Sequence, residues 1–179
     1  MKKILKFTIS VAICEMVGVI GSFFTFPAIG GWYSTLDRPT FTPPGSIIGA
    51  VWTVLFLLMG ISLYLVWAKS WEVKLPLRGL ALKAWNRLSQ KLLTGTWREE
   101  NVMLIFAIQL ALNVLWSFLF FALKSPGLAF FELLMLWFAI LYTIVNFYRV
   151  SKPAGYLLIP YILWVTFAGY LNYVIWMMN

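Results

Sequence analysis

Ten tryptophans and eight tyrosines in 179 residues, with one cysteine and no histidine, narrow the chemistry open to this chain. Indole and phenol rings are apolar with one polar edge, so they suit a membrane interface or the faces of a flat aromatic ligand. The missing histidine removes the commonest haem axial ligand and the commonest proton shuttle near neutral pH. Cys14 lies inside an apolar run, so no disulfide framework exists. There is no metal-ligand cluster, nucleophile–base pair or nucleotide motif, and no metal site is expected. Two carboxylic acids, Glu15 and Glu132, interrupt apolar runs. An unpaired carboxylate at membrane depth is costly, so each is expected to be protonated, to face other helices, or to sit near a helix end. Glu132, close behind Gly127, is placed toward the outer interface, whereas Glu15 falls near the midplane, about 13–14 Å along its helix from Lys6. With no histidine and no second deep carboxylate nearby in sequence, a proton relay has little support.

The densest group of informative residues runs from Gly31 to Trp52. Pro39, Pro43 and Pro44 stiffen a short stretch and remove donors, giving a preset loop. Trp32, Tyr33, Phe41 and Trp52 surround it. An interfacial aromatic belt would account for the rings, but it does not require the prolines. A rigid lid over a cavity between helices accounts for both.

The elements that must hold these residues follow from composition. The chain is 62% hydrophobic and 11% charged, with a mean hydropathy of +0.87. A soluble domain carries about 25% charge, so the solvent that accepts this surface is a bilayer. Five continuous apolar runs, about 5–26, 46–68, 101–123, 127–148 and 154–177, reach the roughly 20 residues that a spanning helix needs. They are unbroken and too long for spanning strands, so the fold class is all-α: a single membrane domain, 1–179, of five transmembrane helices. Pro27, Pro43-Pro44-Gly45, Pro126-Gly127 and Pro153 mark the span edges. The N-terminal run lacks a small-x-small cleavage site and is expected to stay as the first span.

Twelve of the fourteen basic residues flank one side: the N-terminus, the loop of about 69–100, and Arg149 with Lys152; Arg38 and Lys124 alone flank the other. This bias puts the N-terminus in the cytoplasm and the C-terminus outside, and argues for a prokaryotic plasma membrane. The net charge of +8 is thereby a topology signal, and no nucleic-acid partner is expected. In the second loop, Leu77, Leu80, Ala81, Ala84, Leu88 and Leu92 alternate with Arg78, Lys83, Arg87 and Lys91. That is the pattern of an amphipathic helix on anionic membrane lipids, and a basic solvated connector would serve equally.

The run Trp32-Tyr33-x-x-Leu36-x-x-Pro39-x-x-x-Pro43-Pro44, with Val51-Trp52 and Met59-Gly60-x-Ser62-x-Tyr64-Leu65-Val66-Trp67, resembles the TspO/translocator protein family, the tryptophan-rich sensory proteins or peripheral-type benzodiazepine receptors. Leu112-Asn113-x-x-Trp116-x-x-x-Phe120-Phe121 and Pro160-Tyr161-x-x-Trp164-x-x-Phe167-Ala168-x-x-Leu171-Asn172-Tyr173 extend the likeness over essentially the whole chain. The resemblance implies one five-helix bundle, commonly a homodimer, around a pocket covered by the first loop. It implies a receptor or carrier binding porphyrins (protoporphyrin, haem) and benzodiazepine-site ligands, linked to tetrapyrrole handling or stress signalling, with no cofactor required. By position, Trp52, Asn113, Trp116, Trp164 and Ala168 match pocket-lining residues; Phe167 stands in the same motif, and Trp32, Tyr33, Pro43 and Pro44 belong to the covering loop. Indole faces would stack on a macrocycle, Asn113 would orient it, and Ala168 would leave room.

Two further functions stay open. One is light- and oxygen-dependent porphyrin breakdown, in which Trp52 and Trp164 would be the catalytic partners; the other is a lipid-interacting scaffold. Leu171-Asn172-Tyr173 begins the family's cholesterol consensus, but no basic residue follows it, so cholesterol specificity is not predicted. Ala107-x-x-x-Ala111 is a small-xxx-small pair that suits either a dimer contact or an internal one.

Overall fold

The computed structural model describes residues 2–70 and 99–179. The amphipathic helix expected over 77–92 lies outside the described residues. Among the described residues, five helical spans are long and apolar enough to cross a bilayer, as the run lengths require. They are α1 (Lys2–Ile29), α3 (Gly45–Ser70), α4 (Glu99–Ser117) continued by a π-turn over Phe118–Ala122, α5 (Pro126–Val150), and a fifth built from α6 (Lys152–Leu157) and α7 (Ile159–Met178). A short α2 (Trp32–Thr35) lies in the first loop. Each span is apolar on nearly every side because one face meets other helices and the other meets lipid. Phe23, 69% exposed, is a ring on that lipid face.

Three boundaries depart from the sequence expectation. Pro27 does not end the first span; it lies inside α1, which runs on to Ile29 before Gly30 and Gly31. A proline there deletes one i→i−4 bond, the one to the Phe23 carbonyl, and the helix continues for only two more residues. The third span closes in a π-turn. The fifth span is two helices, bent at Leu158, because Pro160 has no N–H for the carbonyl of Tyr156 and its ring crowds that turn.

The helices form a closed ring in the order α1, α3, span 5, α5, α4. Gly60 lets α3 approach α1: a Cβ there would meet Val11 Cα at 2.6 Å. Gly155 does the same for the hairpin of α5 and α6, where a Cβ would meet Tyr148 Cα at 2.9 Å. Around these contacts a core of Cys14, Met59, Phe106, Leu136, Phe147 and Tyr161 fills the half of the bundle nearer the N-terminus. A smaller core of Ala28, Phe120, Phe121, Ala129 and Ile175 packs near the first loop. A cavity remains between them.

Candidate functional site

The cavity measures about 700 Å³ and is lined by one stripe from each of several helices. From α3 come Gly45, Gly49, Trp52 and Phe56, spaced four, three and four apart and therefore on one helical face. Neither Gly45 nor Gly49 has a neighbour within 4 Å of where a Cβ would stand, so these glycines widen the cavity. Trp52 stacks on Phe56 with ring centroids 5.5 Å apart and meets the edge of Tyr161 at 6.2 Å.

Asn113, Trp116, Ser117 and Phe120 follow the same rule on α4 and its continuation, and Phe121 joins them. Both rings are buried in the π-turn, Phe120 against Trp116 and Phe121 against Tyr33. Trp116 stacks on Phe120 at 5.2 Å, and its Nε1 donates to Asn172 Oδ1 at 3.1 Å. Asn172 in turn donates Nδ2 to the Pro126 carbonyl at 2.7 Å. The indole is thus fixed by its edge, and its face is left for packing. Asn113 donates Nδ2 to Gln109 O and to Tyr161 Oη, so Oδ1 is the amide atom left for the cavity.

Trp164, Phe167, Ala168, Leu171, Asn172 and Ile175 form the α7 wall, and Glu15, Gly18, Ser22 and Thr25 form the α1 wall. The first loop closes the end. Trp32 sets its edge on Phe120 at 5.6 Å, and Tyr33 leans on Phe121 at 5.7 Å. The Arg38 guanidinium sits 4.9 Å over the Tyr33 ring, and both residues line the cavity. Phe41 stacks on Tyr170 at 5.6 Å. Asp37 N–H donates to Asn179 Oδ1 at 3.0 Å, while Asn179 Nδ2 donates to Asp37 O at 3.0 Å, pinning the loop to the last residue.

Of the residues singled out from sequence, Tyr33, Trp52, Asn113, Trp116, Trp164, Phe167 and Ala168 meet around the cavity. Trp32 stands behind the wall on Phe120, and Pro43 and Pro44 lie at the lip, where the Pro44 carbonyl accepts from Ile47 and Ile48 and starts α3. The α1 stripe and Arg38 were not singled out as site residues. The helical spacing of Glu15, Gly18, Ser22 and Thr25, four small or polar residues in an apolar span, was a signal for part of the first, which Val17, Val19, Phe26 and Ile29 complete. Glu132 faces other helices, one of the arrangements expected of it: it is buried in α5, seven residues into that helix, and neither carboxyl oxygen has a hydrogen-bond partner.

Residues 10–177 match the TspO/MBR family. The chain is 37% identical to the tryptophan-rich protein TspO of Chlorobaculum tepidum, over 99% of this chain and 98% of that one. It is 36% identical to the protein of the same name from Archaeoglobus fulgidus, over 98% of each. The human translocator protein is 36% identical across 89% of this chain and 82% of its own length.

Proposed function

The chain belongs to the TspO/MBR family of five-helix integral membrane proteins, and from that premise we propose that it is a membrane receptor or carrier for porphyrins, protoporphyrin and haem among them, and other flat apolar molecules. The observation that carries this reading is the cavity: about 700 Å³, walled by the rings of Trp52, Trp116 and Trp164 and furnished with the amide of Asn113, whose oxygen is not taken up by the protein contacts of its nitrogen. Ring faces stack on a planar apolar ligand, and one placed amide fixes its orientation. Arg38 at the mouth gives a ligand carboxylate a cation, so a porphyrin would bind with its acidic edge toward the first loop.

The protein lies in a prokaryotic plasma membrane, with the N-terminus cytoplasmic and the cavity mouth outside. It functions as a homodimer. Ala107 and Ala111 both face outward from α4, which leaves an internal helix contact without a use for that pair. Anionic lipids serve the basic second loop.

Trp52 and Trp164 both border the cavity, and this favours one second reading, oxidative breakdown of a bound porphyrin that absorbs light and reacts with oxygen. Titration of wild type and Trp52→Phe with protoporphyrin, in dark and in light, decides between them. Saturable binding with intact ligand recovered supports the receptor. An oxygen-dependent product that disappears in Trp52→Phe supports the enzyme, and absence of saturable binding sinks both.

A further inference from the structure

Span 5 meets α3 in two different ways. Along α6 the helices pack, and Ser62 Oγ donates to the Ala154 carbonyl at 2.7 Å. Past the bend at Leu158, α7 leans away and its backbone scarcely touches α3. A groove of about 610 Å³ opens between them, walled by Val51, Val54 and Leu58 on α3 and by Leu163, Trp164 and Phe167 on α7. Val54 is 55% exposed and Leu163 65%, so the groove lies on the lipid-facing surface of two spans. Trp164 and Phe167 also line the central cavity. These two aromatic side chains are therefore shared between the cavity and the groove.

We propose that this groove is a membrane-side portal, through which a flat apolar ligand passes from the bilayer into the cavity between α3 and α7, past Trp164 and Phe167. The proposal rests on the cavity holding such a ligand. Burial of apolar surface concentrates that ligand in the hydrocarbon rather than in water. The cavity also reaches the surface between α1 and α3, where the exposed Val19, Phe26 and Gly49 line it, but its two ends are harder to open. At the mouth, the ring contacts of Trp32, Tyr33 and Phe41 and the paired bonds of Asp37 with Asn179 would all have to break. Toward the N-terminus the way is filled by packed core. At the groove the backbones of α3 and α7 already stand apart, so the obstacle there is side chains, Trp164 and Phe167 among them. The Trp164 Nε1 is buried and has no hydrogen-bond partner, so packing alone holds that indole in place.

The test uses the full chain in lipid nanodiscs with protoporphyrin as the probe. Val54→Trp and Leu163→Trp fill the groove from opposite walls, and neither residue lines the cavity. Stopped-flow fluorescence should show association and dissociation slowed together, by about tenfold, with Kd held within about twofold; a passage alters rates and not the equilibrium. The retained Kd reports that the variants fold, and Val54→Phe and Leu163→Phe, which fill less, should slow both rates less. Unchanged rates would place the passage elsewhere and overturn the portal. A Kd that moves with only one of the two rates would make the groove part of the binding site and overturn it as well. A readout independent of porphyrin is a bimane on Ala168→Cys, inside the cavity, quenched by a nitroxide alkane dissolved in the bilayer. Filling the groove should reduce that quenching, and undiminished quenching would refute the portal. Failure of the proposed function shows separately, as absence of saturable porphyrin binding in the wild type.

Discussion

Asn113 on α4 donates its Nδ2 hydrogen to Tyr161 Oη on α7 at 2.6 Å, beneath the cavity and 48 positions away in sequence. The bond ties two walls together at the floor. It also commits the amide's donor side to protein, leaving its acceptor to whatever occupies the space above. A ligand N–H or O–H suits that acceptor, and a ligand carbonyl does not.

Tyr161→Phe removes the acceptor but leaves Asn113 its second bond, to the Gln109 carbonyl at 2.9 Å. An interhelical hydrogen bond in a membrane protein contributes about 0.6 kcal/mol, so the thermal midpoint in detergent should fall slightly and ligand affinity should hold. Asn113→Leu is expected to be worse on both measures. It strands the fully buried Tyr161 hydroxyl, at about 1–3 kcal/mol, and removes the cavity's amide. Equal effects from the two substitutions would mean that the amide does not face the ligand.

Gly49 and Gly60 lie on the same helix and should respond in opposite ways. A Cβ at Gly49 meets nothing within 4 Å, and the residue lines the cavity. Gly49→Leu should therefore keep or raise the melting temperature, since a mid-helix glycine costs about 0.5–1 kcal/mol. It should also weaken porphyrin binding by roughly tenfold, or about 1.4 kcal/mol. A Cβ at Gly60 meets Val11 Cα at 2.6 Å, a backbone atom with nowhere to go. Gly60→Ala should cost about 1–3 kcal/mol of stability and leave the affinity of the folded fraction unchanged. Paired melts and titrations separate the two cases.

The outward pair Ala107 and Ala111 makes the oligomer testable without touching the cavity, which neither residue lines. Replacing both with Phe should convert a dimer to a monomer in light scattering, because close backbone approach requires small side chains. Porphyrin affinity should be unaltered. A dimer that survives the double substitution would assign the interface to another face.

What could be read from the sequence, and what could not, divides along physical lines. Run length and charge bias locate five spans because the bilayer imposes a single length scale on any helix that crosses it. The site residues Trp52, Asn113, Trp116, Trp164 and Ala168 came from the family resemblance, and helical spacing alone would have recovered the α3 stripe, Gly45 to Phe56. The bend at Leu158 was hidden because Pro160 sits in an otherwise unbroken apolar run and was not weighed as a break. The π-turn was hidden because it depends on how Phe120 and Phe121 pack against Tyr33 and has no composition of its own. Counting from Gly127 fixes how far along α5 Glu132 lies, but depth along a helix says nothing about which face a side chain takes, and here it is the buried one.

Trp116 and Asn172 provide the last test. Asn172 bridges three elements, accepting from the Trp116 indole at 3.1 Å and donating to the Pro126 carbonyl at 2.7 Å, where α5 begins. Asn172→Leu leaves two polar groups unpaired in apolar surroundings, with a penalty of about 1–3 kcal/mol for each. Trp116→Phe removes the donor itself and leaves only Asn172 Oδ1 without a partner, so it should destabilise the protein less. Ligand binding should reverse that order. Losing the Trp116 face weakens stacking directly, whereas Asn172→Leu leaves the ring in place but free to turn. If the structural account is right, Asn172→Leu has the lower melting temperature and Trp116→Phe the lower porphyrin affinity. If both measures fall most in the same variant, the indole edge and the indole face are not separate in function, and Trp116 is chiefly a packing residue.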